Sequence, residues 1–93
     1  MNAALNLLAL AQAAIKFSQA AAAAKHQQQA LNDAYYAWRE ATGVTVLIER
    51  DDENWNAMMV STAEEYRQLQ NAKGRERRAK AKLLALAGAV EVQ

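Results

Sequence analysis

Three groups of side chains in this sequence could do chemistry: a run of bases, a cluster of acids and one histidine. The run is Lys73-Gly-Arg-Glu-Arg-Arg-Ala-Lys-Ala-Lys82, in which Lys73, Arg75, Arg77, Arg78, Lys80 and Lys82 stand against one acid, Glu76. Clustered Arg and Lys displace counterions from a phosphate backbone, so the chemistry indicated is nucleic-acid binding. The same residues also read as a solvated or protein-contacting helix face whose long stems cover apolar surface. No helix-turn-helix, zinc-finger or RNA-binding signature accompanies the run, and no aromatic residue is interleaved with it to stack on bases.

Glu49, Asp51, Asp52 and Glu53 form the acidic cluster, followed by Glu64 and Glu65. A calcium loop needs spaced oxygen ligands and a glycine, which this stretch lacks. The acids therefore read either as a solvated turn beside a helix N-terminus or as an acidic tip that docks on a basic surface. In the second case the carboxylates stand where phosphates would sit. His26 is the only histidine and there is no cysteine, which leaves no ordinary zinc site, thiol chemistry or identifiable histidine dyad. Tyr35, Tyr36, Trp38 and Trp55 read as an apolar cluster, with a ligand cage as the rival. With no phosphate loop, nucleophile elbow or paired-acid motif, the expectation is a non-enzyme without metal or cofactor.

These groups must be positioned by helices. Leu7, Leu10, Ala14, Phe17, Ala21, Ala24, Gln28, Leu31, Tyr35 and Trp38 recur at alternating spacings of three and four, one seam with Gln28 its only polar member. The spacing predicts a helix over about 3–41, capped by Asn2 and closed by Gly43 as the left-handed residue after the last turn. A second seam of Leu69, Ala72, Glu76, Ala79, Leu83, Leu86 and Val90 predicts a helix over about 62–87. A capping box at Ser61–Glu64 or Thr62–Glu65 would open it and Gly88 would close it. Between them, the β-branched run Val44–Glu49, a polar turn and the apolar run Trp55–Val60 predict a β-hairpin over about 44–60. The rival reading continues a helix from Trp55 to Val60. The whole is a mainly α single domain: a long helix, a hairpin and a second helix returning antiparallel, dimerised through helix and hairpin.

In an antiparallel pair, facing positions have a nearly constant sum, and pairing 38 with 66, 31 with 72 and 17 with 86 satisfies this. Gln28 and Glu76 then fall opposite each other as a register-setting polar layer. Leu5, Leu7, Leu8 and Leu10 overhang with little to cover them, the mark of a partner or oligomer interface.

Charge is uneven along the chain. The net of +1 conceals eight acids against two arginines in residues 33–65, and seven bases against two acids in residues 66–93. The residues are 53% hydrophobic but only 6% aromatic, an alanine-rich helical composition with little bulk for a large core. The apolar start lacks the basic region of a secretory signal, and Lys16 with the Asn and Gln residues argues against a membrane span. A cytoplasmic protein without membrane contact is the expectation. The reading of function that follows is a small interaction protein, an adaptor or inhibitor that binds a larger protein and itself. Its size and economy fit a bacterial or phage accessory factor. Nucleic-acid binding through residues 73–82 is the alternative, and a structural oligomer or assembly component is a third.

Overall fold

The computed structural model of the chain describes residues 3–91, and these form three helices: α1 (Ala3–Thr42), α2 (Glu53–Ser61) and α3 (Ala63–Glu91). The residues are those that form helices: Ala, Leu, Gln, Lys and Arg dominate α1 and α3, and there is no proline to interrupt them. Helix α1 runs for 40 residues and stops at Gly43, whose φ of +72° is open to glycine at little cost. The Gly43 amide donates to the Arg39 carbonyl at 2.9 Å, and the Thr42 hydroxyl donates to the Trp38 carbonyl at 2.7 Å. The expected cap at Asn2 lies outside the described residues.

Helix α3 returns antiparallel along α1, giving a rod of 61 × 19 × 18 Å with a radius of gyration of 19.4 Å. A compact domain of this length would have a radius of about 12 Å, so the molecule is a two-helix hairpin and not a globule. Its core is thin. The buried apolar residues are Ala13, Ala24, Leu31, Met58, Leu69 and Ala72, half of them alanines. Small side chains let the axes approach closely but bury little area each.

The expected β-hairpin over 44–60 is corrected: no strand occurs among the described residues, and 53–61 is helical. Strand alternation puts Ala57 and Met59 on the covered face and leaves Met58 outside. In the structure Met58 is the buried residue, with Trp55 and Met59 half-buried beside it. Residues 55, 58 and 59 share one face only at helical spacing. Asp52 decides the matter locally, since its Oδ1 accepts the Trp55 amide at 2.7 Å as the N-cap of α2. Its Oδ2 accepts the Glu49 amide at 2.9 Å and closes the preceding turn. Helix α2 then packs its face at the closed end of the hairpin, where the Tyr35 hydroxyl donates to Met59 Sδ at 3.7 Å.

Two other boundaries also differ. Helix α3 runs through Gly88 to Glu91, because a glycine ends a helix only where the chain turns left-handed, and Gly43 is the only glycine with positive φ. The capping box is replaced by a one-residue break at buried Thr62, whose hydroxyl donates to the Met58 carbonyl at 2.8 Å. Glu64 turns to Arg67 instead of back to the chain before it.

Candidate interaction surfaces

The basic stretch lies along the middle of α3, and all six bases are exposed. Lys73, Lys80 and Arg77 fall to one side of the packed face, Arg75, Lys82 and Arg78 to the other, as a 100° step per residue requires. None of the six is in an ion pair among the described residues, where the one salt bridge joins Arg67 to Glu64 at 2.6 Å. Gly74 lies beneath them, and a Cβ there would stand 3.2 Å from Arg78 Nη1 and 3.8 Å from Arg77 Nη2. The two guanidinium groups thus lean over the glycine, which concentrates positive charge on one short length of helix.

A further base belongs with this surface. Lys16 of α1 and Lys82 of α3 line one hollow of about 130 Å³, together with Ala9, Gln12, Ala13 and Leu86. Leu86 lines this hollow with Ala13, one turn from Phe17 on the same helix. At the other end Trp38 lines a hollow with Ser61, Thr62 and Glu65.

No hydrogen bond or ion pair joins Gln28 to Glu76, and each is half-exposed. Gln28 Nε2 donates instead to Asn32 Oδ1 at 3.1 Å, one turn along the same helix.

The acids gather at the closed end. Glu49, Asp51 and Glu53 are exposed, with Asp51 in the left-handed region at φ +68°. Asp52 is half-buried, and both its oxygens are committed to backbone amides, so it serves the fold and not the contact surface. Glu64 accepts from Arg67 Nη2 at 2.6 Å and from Gln68 Nε2 at 2.9 Å, and these hydrogen bonds hold its pKa below the ordinary carboxylate value. Among the described residues no group of three His, Cys, Asp or Glu could hold a metal ion. His26 is exposed, as its outward position on α1 implied. Tyr35, Trp38 and Trp55 are half-buried and Tyr36 is exposed. Burial, and then the neighbouring Tyr66, push the Tyr35 pKa above its ordinary value.

The opposite, open end is apolar. Leu5, Leu7 and Leu8 are 60%, 55% and 55% exposed, while Leu10 is half-buried. Two companions fall outside the expected overhang, Ile15 at 58% and Leu84 at 60%. The signal for Ile15 was present in the sequence: it stands seven residues after Leu8, the repeat of a second helical stripe. By length and composition α1 could cross a membrane, a property that core helices and signal sequences share. Comparison with known protein families, curated proteins and solved structures returned no match.

Proposed function

We propose that this chain is a small non-enzymatic interaction protein of the cytoplasm, an adaptor or inhibitor that binds a larger protein. The observation that carries the reading is the segregation of exposed surface along the rod. Leu5, Leu7, Leu8, Ile15 and Leu84 occupy the open end, the six bases the middle, and Glu49, Asp51 and Glu53 the closed end. Exposed leucines at this density mark a contact face, and separated charges orient a partner on approach. Such a molecule supplies complementary surfaces and no reacting group.

Affinity capture with the tagged chain, with and without nuclease, tests this. The reading expects a stoichiometric protein that survives nuclease and is lost with Leu5→Gln/Leu7→Gln or with Asp51→Asn/Glu53→Gln. A partner indifferent to both pairs of substitutions would overturn it.

The second reading is direct nucleic-acid binding, supported by six exposed bases that have no acidic partner among the described residues. It expects affinity for DNA or RNA that falls steeply with salt. Arg75→Glu/Arg77→Glu/Arg78→Glu would then weaken binding and flatten the salt dependence, by about one unit of slope for each phosphate no longer engaged.

A further inference from the structure

We propose that α1 carries a second helix-pairing seam, on its side away from α3, and that its occupant is the same seam of a second copy running antiparallel. The residues are Ala4, Leu8, Ala11, Ile15, Ser18 and Ala22, at spacings of four and three, and all six are exposed. The inference rests on reading the N-terminal leucines as a contact surface, and it says what covers Leu8 and Ile15.

The spacing selects a helix as the occupant. Residues at alternating three and four steps lie in one stripe and take a partner with the same repeat, knob into hole. This seam is its own complement. When two copies run antiparallel with facing positions that sum to 26, Ala4 meets Ala22, Leu8 meets Ser18 and Ala11 meets Ile15. Every large side chain thus faces a small one, which allows axes near the lower end of the usual ~8–10 Å spacing. Beyond Ala22 the stripe becomes Lys25 and Gln29, so the apolar seam has a defined end.

Charge selects the antiparallel arrangement. None of the six seam residues is charged, so the seam offers nothing to a charged partner. A parallel, in-register pair would set Lys25 against Lys25 at the end of the stripe and bring the two acidic closed ends together. The antiparallel pair sends the acidic ends to opposite extremes and opposes the helix dipoles. Because the seam faces away from α3, the two basic stretches stay on the outer sides of the assembly.

The two-helix rod leaves more surface open than a compact chain would. The chain exposes 6723 Å² at 10.2 kDa, whereas a compact monomer of that mass exposes about 5,300 Å². The excess of about 1,400 Å² is spread over the whole of an elongated rod, of which the seam is one face.

Sedimentation equilibrium of the full chain from micromolar to millimolar concentration tests the proposal, with circular dichroism as the folding control. The expected result is a dimer whose dissociation constant rises on the order of a hundredfold in Leu8→Gln/Ile15→Gln at unchanged helix content. Because the sequence has no cysteine, single Cys variants report the direction of pairing. A mixture of Leu8→Cys and Ser18→Cys chains should yield mainly the mixed disulfide. A chain that stays monomeric throughout, a dimer unaffected by the double substitution, or a predominance of same-residue disulfides would each overturn the proposal. So would Leu8- and Ile15-dependent binding to phosphatidylglycerol vesicles by a chain monomeric in solution, which would assign the face to lipid. A monomeric Leu8→Gln/Ile15→Gln variant that still captures a larger protein leaves the adaptor reading intact and separates the two.

Discussion

Replacing Asp52 with alanine removes two hydrogen bonds at once, the 2.7 Å bond from the Trp55 amide and the 2.9 Å bond from the Glu49 amide. An N-cap aspartate is worth about 1 kcal/mol against alanine. The Glu49 amide is exposed and finds water when released, so its bond contributes only about 0.5 kcal/mol. The expected loss is therefore about 1.5 kcal/mol. With an unfolding entropy of about 2.1 cal/mol/K per residue over 93 residues, this lowers Tm by about 8 °C. Asp52→Asn keeps an oxygen for the Trp55 amide and gives up only the second bond, which predicts a loss of about 0.5 kcal/mol. Thermal unfolding at 222 nm measures the stability, and amide exchange at Trp55 locates it. An alanine variant within about 0.3 kcal/mol of the parent, its Trp55 amide still protected, would show that Asp52 does not hold α2. The helical state of residues 53–61 would then need a cause other than its cap.

Further outcomes follow from the same geometry. Gly43→Ala forces a Cβ into a φ of +72° and should destabilise by about 1 kcal/mol, whereas Gly88→Ala, in a helical position with nothing within 4 Å, should stabilise by up to about 1 kcal/mol. Chemical denaturation of both variants should show opposite signs. Glu64 has a folded pKa below 4.5, so its contribution is present above that value and fades as pH falls through the lowered one. Arg67 and Glu64 are exposed, so the effect is small, weakens with salt and disappears in Glu64→Gln. Tyr35 has a folded pKa above 10.0, and the sign is opposite in pH. Its contribution is complete below 10.0 and is lost as pH rises through the raised value. Ultraviolet titration of Tyr35→Phe should lack the late-ionising phenol.

The interaction surfaces do not depend equally on the fold. The bases of α3 and the acids of the closed end remain exposed for any helical arrangement, because their side chains are too costly to bury without partners. The apolar open end is different. Leu5 is uncovered because α1, at 40 residues, is longer than α3, at 29, and its first turns have no second helix beside them, while Leu8 also faces away from α3. The mismatch in length is what turns a hydrophobic segment into a surface.

Local periodicity determined much of this molecule. Helix α1, its stop at Gly43, most of α3 and their antiparallel return follow from three-four spacing and from one residue able to turn left-handed. The exposure of the six bases and of Leu5, Leu7 and Leu8 was legible for the same reason. Tertiary structure decided what local spacing leaves degenerate. Trp55–Val60 carries apolar residues compatible with either period, and the choice fell to Asp52 capping a helix whose Met58 and Met59 reach the closed end. Lys16 and Lys82 line one hollow only because α3 packs back along α1. Side chains so far apart in the chain meet only when the helices pack, so local spacing alone does not show them together.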